Sequence, residues 1–358
     1  MNSAKKDPKK GTWYIQYRFT DWQGNQHKST KRGFRTKKEA ESWLRKFLAK
    51  QTVGFDMKMR DFIEIYMEDC KSRVRENTYI NKECIINDKI LPYFGKKAVS
   101  SITAADIRKW QNELIKKRYK PTYLKTINNQ LSAIFNFAVN YYDLGSNPCR
   151  KAGSMGKAKA EEMPFWTVAE FEKFMDHMMV KRRSNVAFEL FFWTGLRKGE
   201  LLALTREDVD LDAKLLTVNK SYQRINKKDV ITPPKTPKSN RIISLPDFLA
   251  TDLQEYFDSL YGLESGDRIF PVGESHFNDE INRGIRKSGV QKITVHNLRH
   301  SHAAMLADMK IMPLEVANRL GHENVETTLD IYEHLYPDSQ MKLAEEINKR
   351  YKKGEREE

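Results

Sequence analysis

The sequence predicts a multidomain, mainly α-helical protein: a small β-hairpin-plus-helix domain, then an all-α domain, then an α+β domain. Three observations carry this. An aromatic and β-branched run, Trp13-Tyr14-Ile15-Gln16-Tyr17-Arg18-Phe19, is followed by a turn-forming stretch and a second strand-like run. From residue 57 to 142 the pattern is helical, with Phe62, Ile65 and Tyr66 on one face and Leu131, Ile134, Phe135 and Ala138 on another. Beyond residue 165, helical patterns bracket three short strand-like segments. A length of 358 residues suits two or three domains of roughly 100–200 residues each.

Taken in order, residues 1–10 are polar and basic and read as a flexible tail. Asp21-Trp22-Gln23-Gly24-Asn25 supplies the turn after the first strand, and residues 26–34 read as the return strand. Thr36 has Glu39 three residues on, the signature of a capped helix start, and that helix runs to about residue 50. This first domain covers 1–52. Residues 51–55 contain Gly54 and read as a linker.

The second domain, 56–150, is expected to hold four or five helices. Leu91-Pro92-Tyr93-Phe94-Gly95 should break two of them, and the stretch from Ser101 to Asp106 should start the next. Asn147-Pro148 ends the domain, and the Gly/Ala/Lys-rich residues 151–164 form a linker. The third domain, 165–358, opens with Thr167 as an N-cap. Helices run to residue 204, strands are expected over 211–218, 223–231 and 241–245, and helices return from 249 to a C-terminal tail.

Lysine and arginine number 63 against 48 aspartates and glutamates, a net charge of +15. Such a surface favours a polyanion. Acidic membranes also attract basic proteins, but the chain shows no basic amphipathic anchor or lipidation motif, so nucleic acid leads and no membrane association is expected. Residues 186–196 are apolar but too few to span a bilayer, and they include Glu189. Cys70, Cys84 and Cys149 form no CxxC pair, and the basic N-terminus lacks the apolar core of a secretory signal. A reducing, cytoplasmic location is expected.

Chemistry concentrates toward the C-terminus. Arg197 follows Gly195 at a helix start, and arginine's planar fork clamps phosphate with two parallel hydrogen bonds. His296 and Arg299 stand at i and i+3 and share a helix face. His322 follows Gly321, and Tyr332 lies a little beyond. Five of the eight histidines fall between His296 and His334, which raises the possibility of zinc. The His296/His300 spacing imitates HExxH, yet Asn297 replaces the required glutamate and no cysteine is near, so no metal is assigned. A phenol, two guanidiniums and imidazoles can attack a phosphodiester without one.

As an ordered set, Arg197, His296, Arg299, His322 and Tyr332 resemble the signature of the tyrosine recombinases, or phage integrases. The segments that match are Thr194-Gly195-Leu196-Arg197-Lys198-Gly199-Glu200-Leu201, His296-Asn297-Leu298-Arg299-His300, Leu320-Gly321-His322 and Thr328-Leu329-Asp330-Ile331-Tyr332-Glu333-His334. The resemblance covers roughly residues 165–340, and the first two domains look like the arm-binding and core-binding domains of lambda-like integrases from temperate phages or conjugative transposons. It implies a catalytic lysine on a β-hairpin. Lys235 followed by Thr236 matches best, and Lys238 remains an alternative. It further implies a 3′-phosphotyrosine intermediate on Tyr332, charge stabilisation by Arg197 and Arg299, and proton transfers by Lys235 and His296. His322 would donate to the phosphate, and Glu200 would hold an arginine. It implies double-stranded DNA with core and arm attachment sites, a homotetramer on DNA, an excisionase and a DNA-bending host protein as accessory partners, and no cofactor. The product would be integration and excision of a mobile element. A type IB topoisomerase shares the chemistry, and a catalytically inert DNA-binding homologue is the third reading. The separate N-terminal module argues against the topoisomerase, and the complete set of catalytic residue types against the inert module.

Affinity for duplex DNA should fall steeply with salt, because lysines and arginines displace condensed counterions from phosphates. Titrations at rising salt should give a falling straight line of log affinity against log salt. A flat line would contradict it.

Overall fold

A computed structural model describes residues 4–8, 11–20, 26–51, 57–157, 163–178, 181–234, 236–326, 328–329, 344–345 and 347–348. The chain divides into two compact units, residues 1–161 and 162–358.

In the first unit, β1 (Lys5–Lys6), β2 (Trp13–Thr20) and β3 (Gln26–Phe34) form an antiparallel sheet in that order. The helix α1 (Lys37–Gln51) packs on it. Strand alternation sends Ile15 and Tyr17 inward, where they meet Phe34, Ala40 and Leu44. The other face carries Gln16, Arg18, Lys28, Thr30 and Arg32, all exposed, and the Arg32 guanidinium lies over the Tyr14 ring. The helix starts as expected: Thr36 accepts from the Glu39 amide at 3.1 Å. The expected flexible tail is corrected, since Lys5 and Lys6 pair with Tyr14 and Trp13 and Ala4 is buried. Backbone pairing at a sheet edge needs no side-chain pattern, so polarity hid this strand.

The helical part comprises α2 (Met59–Arg73), α3 (Glu76–Ile85), α4 (Leu91–Phe94), α5 (Ala104–Lys116), α6 (Pro121–Tyr141) and α7 (Pro148–Ala152). Its core gathers Phe62, Phe94, Trp110, Leu131 and Phe135. The break expected within residues 91–95 is present, at the last of them and not at Pro92. A π-helical turn, Ile86–Ile90, joins α3 to α4, Pro92 sits in α4's first turn where no amide bond is lost, and the break comes at Gly95. Thr103 and Asp106 form a reciprocal cap at α5. Beyond Ala152, Met155 is still buried with these helices, Gly153 accepts from Gln111, and the Lys157 amide donates to Pro121.

In the second unit, α8 (Val168–Met175), capped by Thr167 and Glu170, leads into α9 (Arg182–Thr194) and α10 (Lys198–Ala203). The strands β4 (Val209–Asp210), β5 (Leu215–Val218) and β8 (Arg241–Ser244) form one antiparallel sheet. The two strands β6 (Ser221–Ile225) and β7 (Lys228–Thr232) form a separate hairpin. This corrects the single strand expected over 223–231. Asn226 and Lys227 both take positive φ, 50° and 65°, the conformation of a tight two-residue turn. Then come α11 (Asp247–Asp258), α12 (His276–Ser288), α13 (Val295–Asp308) and α14 (Pro313–Leu320). The buried α9, with Val186, Phe188 and Phe191, packs against α11 and α13. No helix among the described residues is long and apolar enough to cross a membrane.

One contact in this core tests the packing. A Cβ added at Gly284 in α12 would overlap the ring of Phe174. That ring is itself wedged against Trp166 and Phe188, at 4.9 and 5.1 Å between centroids, and cannot swing away. Overpacking of this kind costs about 1–3 kcal/mol, against roughly 1 kcal/mol that alanine adds in helix propensity. Gly284→Ala should therefore lower the thermal midpoint of the chain. An unchanged or raised midpoint would show that α8 and α12 are less tightly apposed.

Candidate active site

Four separated segments bring their polar side chains to one place around the C-terminal end of α14. The first is the α9–α10 junction. Gly195 ends α9 with φ of 68°, and a Cβ there would stand 2.5 Å from Leu320 and 2.9 Å from His302. Only glycine lets the chain turn this close to α13 and α14. The turn delivers Arg197 to the N-cap of α10. Its amide donates to Glu200 at 3.0 Å, its guanidinium donates to the same carboxylate at 2.7 Å, and its other terminal nitrogen donates to the Gly321 carbonyl at 3.3 Å.

The second segment is α13. Thr294 caps it with Asn297, whose amide group also donates to the Pro164 carbonyl. Asn297 is therefore a cap rather than a substitute for a metal-site glutamate. Arg299 is buried at 3% exposure and donates to the carbonyls of Gly195 and Leu320, at 2.8 and 2.5 Å. His296 lies at the exposed end of the same helix, its ring edge-on to His300 at 5.2 Å.

The third segment is the start of β8. Arg241, with a side chain 5% exposed, donates to Glu200 through both terminal nitrogens, to Ser239 and, at 2.9 Å, to the Arg319 carbonyl. Three consecutive carbonyls, Arg319, Leu320 and Gly321, thus each receive one guanidinium. These are groups that a helix end leaves without partners, and they carry the negative end of its dipole. Gly321 makes this possible with φ of 67°. A Cβ there would stand 3.0 Å from the Lys238 carbonyl.

The fourth segment follows Gly321. The His322 amide donates to Ala317, and its Nδ1 lies 2.8 Å from the Thr328 hydroxyl. Burial pushes the His322 pKa down, and the charges of Arg299 and Arg197 add to it, leaving it at about 3. Loss of water likewise lowers His296, followed by the same two arginines. His300, lowered by burial and then by His296, lies at about 4. Burial also raises Glu200, but the hydrogen bond and charge of Arg241 and the charge of Arg197 outweigh it and hold the carboxyl at about 2. At neutral pH the site is thus a cluster of cations only partly offset by one buried carboxylate and lined by neutral imidazoles. Such a place suits an anion with several oxygens.

Of the residues singled out in the sequence, Arg197, Glu200, His296, Arg299 and His322 gather here. Lys235 and Tyr332 lie outside the described residues, as do Tyr336 and most of the C-terminal tail. Lys238 sits in a 3-10 turn and donates to the Glu323 carbonyl at 3.1 Å. His302 is a core residue that accepts from Arg319. Sequence reasoning missed Arg241, although a signal existed. Strand alternation puts it on the same face as Ile243 and Leu245, both buried, and a cation in an inward register needs a partner. Among the described residues no group of three metal-ligating side chains comes together.

Comparison with known proteins identifies the family and the fold. The pattern of the phage integrase family matches residues 164–338, that of the phage integrase N-terminal SAM-like domain residues 58–115, and that of the arm DNA-binding domain residues 3–51. The ICEBs1 integrase of Bacillus subtilis is 33% identical over 304 residues, covering 80% of this chain and 81% of its own. The Tn1549 transposon integrase, solved in complex with a circular intermediate DNA, shares the fold with a TM-score of 0.69 at 19% identity, over 79% of this chain and 99% of its own. A lambda integrase tetramer bound to a Holliday junction matches with a TM-score of 0.59 at 18% identity, over 92% of this chain and 94% of its own.

The depressed pKa of Glu200 ties stability to pH. A carboxylate held below its ordinary value stabilises the fold fully above about 4.5 and loses that contribution as pH falls toward about 2. Glu200→Gln should destabilise the protein at neutral pH, and the gap to the native chain should narrow over that acid window. Denaturant unfolding at several pH values checks it, and a constant gap would mean that the carboxylate charge is not what holds the two arginines.

Proposed function

Because the chain belongs to the phage integrase family, the tyrosine recombinases, we propose that it is a site-specific DNA recombinase whose cluster around the C-terminus of α14 holds the scissile phosphate. The observation that carries this is the convergence of Arg197 and Arg299 with His296 and His322 from segments far apart in sequence. Arg197 keeps 35% of its side chain exposed while Arg299 is buried. Arg197 meets the non-bridging oxygens from the open side, and Arg299 supplies charge from the floor. Both are fixed in advance by backbone carbonyls, so little reorganisation is needed as charge grows in the transition state.

The Tyr332 hydroxyl attacks the phosphorus. A bond forms between its oxygen and the 3′ phosphate, the bond to the 5′ oxygen breaks, and the phenolic proton passes to the neutral His296. Lys235 protonates the departing 5′ oxygen. The lysine alternative is weakened because Lys238 already props the backbone after His322 through Glu323. One phosphoester replaces another, so the intermediate keeps the energy that rejoining needs, and the reaction calls for no ATP. With the growing charge met by guanidiniums, it calls for no metal ion either.

Integration and excision of a mobile element is the reading best supported by the integrase relatives. The exposed basic face of β2 and β3 suits a second class of DNA site. A tetramer on two core sites is proposed on the likeness to the lambda integrase tetramer. An excisionase and a DNA-bending host protein remain its proposed accessories, and the reaction takes place in the cytoplasm.

The test is the covalent adduct. With a nicked duplex carrying the junction of the excised element, the native chain should become trapped on DNA, and the adduct should form in EDTA. Tyr332→Phe should bind the duplex and give no adduct, whereas Tyr336→Phe should retain it. Arg197→Lys should lose most activity, since an ammonium cannot make a two-point contact. An adduct mapped to Tyr336, or strict metal dependence, would overturn the mechanism.

A further inference from the structure

We propose that Thr328 is a positioning residue that fixes the tautomer of His322, so that the imidazole offers an N–H, and not a lone pair, to the phosphate. The proposal rests on the recombinase reading for what the N–H serves, and on geometry for the tautomer itself. Thr328 is fully buried. Its amide donates to the Val325 carbonyl, and the partner of its hydroxyl among the described residues is His322 Nδ1, at 2.8 Å.

Two arrangements of that contact are conceivable, and they differ in what they leave unpaired. If Nδ1 carried the hydrogen, it would donate to the threonine oxygen. The hydroxyl's own hydrogen would then be buried with no acceptor among the described residues. A buried donor without a partner costs about 1–3 kcal/mol. If the hydroxyl donates to Nδ1, nothing is stranded, and the single ring hydrogen sits on Nε2. The choice has meaning only for a neutral ring, since a protonated imidazole carries both hydrogens. Burial and the arginines keep His322 neutral at ordinary pH. Its backbone is held independently by the bond to Ala317, so the hydroxyl sets the state of the ring and not the path of the chain. Toward an anionic oxygen the two tautomers have opposite effects: one donates and the other repels.

The experiment reads the tautomer and the chemistry separately. The full chain with isotope-labelled histidine gives nitrogen shifts for His322, assigned by comparison with His322→Ala. The native chain and Thr328→Ser should show a protonated Nε2 and an accepting Nδ1, while Thr328→Val should show the other tautomer or a mixture. In single-turnover adduct formation, Thr328→Val should be slower by up to about 10²-fold, the loss expected for one transition-state donor. Thr328→Ser should stay close to the native rate. Adding Thr328→Val to His322→Ala should cost nothing more. A protonated Nδ1 in the native chain, or losses that multiply in the double variant, would overturn the proposal. The expected shifts in a native chain that forms no adduct would instead overturn the recombinase reading and leave the tautomer assignment standing.

Discussion

The candidate site depends on the way α14 ends. A helix terminus leaves its last carbonyls pointing outward with partial negative charge, and here three of them take the guanidiniums of Arg241, Arg299 and Arg197. Three cations packed together would repel one another strongly if they were free. They are tolerated because each faces a carbonyl and because Glu200, 4% exposed, stands between Arg197 and Arg241. Removing Glu200 would leave the buried Arg241 and its neighbour Arg197 without their counter-charge, which is far more damaging than the net worth of either pair.

That constraint explains the state of the neighbouring imidazoles. His296, His300 and His322 sit beside the fixed positive charge and are partly withdrawn from water, and both effects oppose protonation. Histidines in this setting act as neutral hydrogen-bonding groups and proton acceptors, and the arginines carry the charge. The division of labour follows from pKa: a guanidinium stays charged even when buried, whereas an imidazole yields.

The two glycines on either side of this arrangement act through shape. Gly195 allows the α9–α10 turn to lie against Leu320 and His302, and Gly321 allows the chain to leave α14 beneath the Lys238 carbonyl. Both adopt positive φ. Without them the carbonyls of 195 and 320, which accept from the two terminal nitrogens of Arg299, could not approach one guanidinium together. The chemistry of the site is thus set by side chains and its dimensions by backbone.

Much was legible in the sequence because it depends on local chemistry or on residue type. The caps at Thr36, Thr103 and Thr167 follow from short-range hydrogen bonds that a tetrapeptide already encodes. The succession of hairpin, helical and mixed segments follows from periodicity, and the grouping of Arg197, Glu200, His296, Arg299 and His322 from the resemblance of their ordered motifs to those of the phage integrases. Other features were not legible, because their causes lie between distant parts of the chain. The edge strand at Lys5 and Lys6 exists only because a neighbouring strand offers backbone partners, and the helix survived Pro92 because proline fell in a first turn opened by a π-helical segment. Arg241 is the clearest case. Its residue type was visible, but its role required β8 to run beside the end of α14, 78 residues later, where it meets a carbonyl that has no partner of its own. Sequence determined which groups were available to bind an anion. Tertiary structure decided which were held in place, because only folding brings the unsatisfied end of one helix against cations from three other segments.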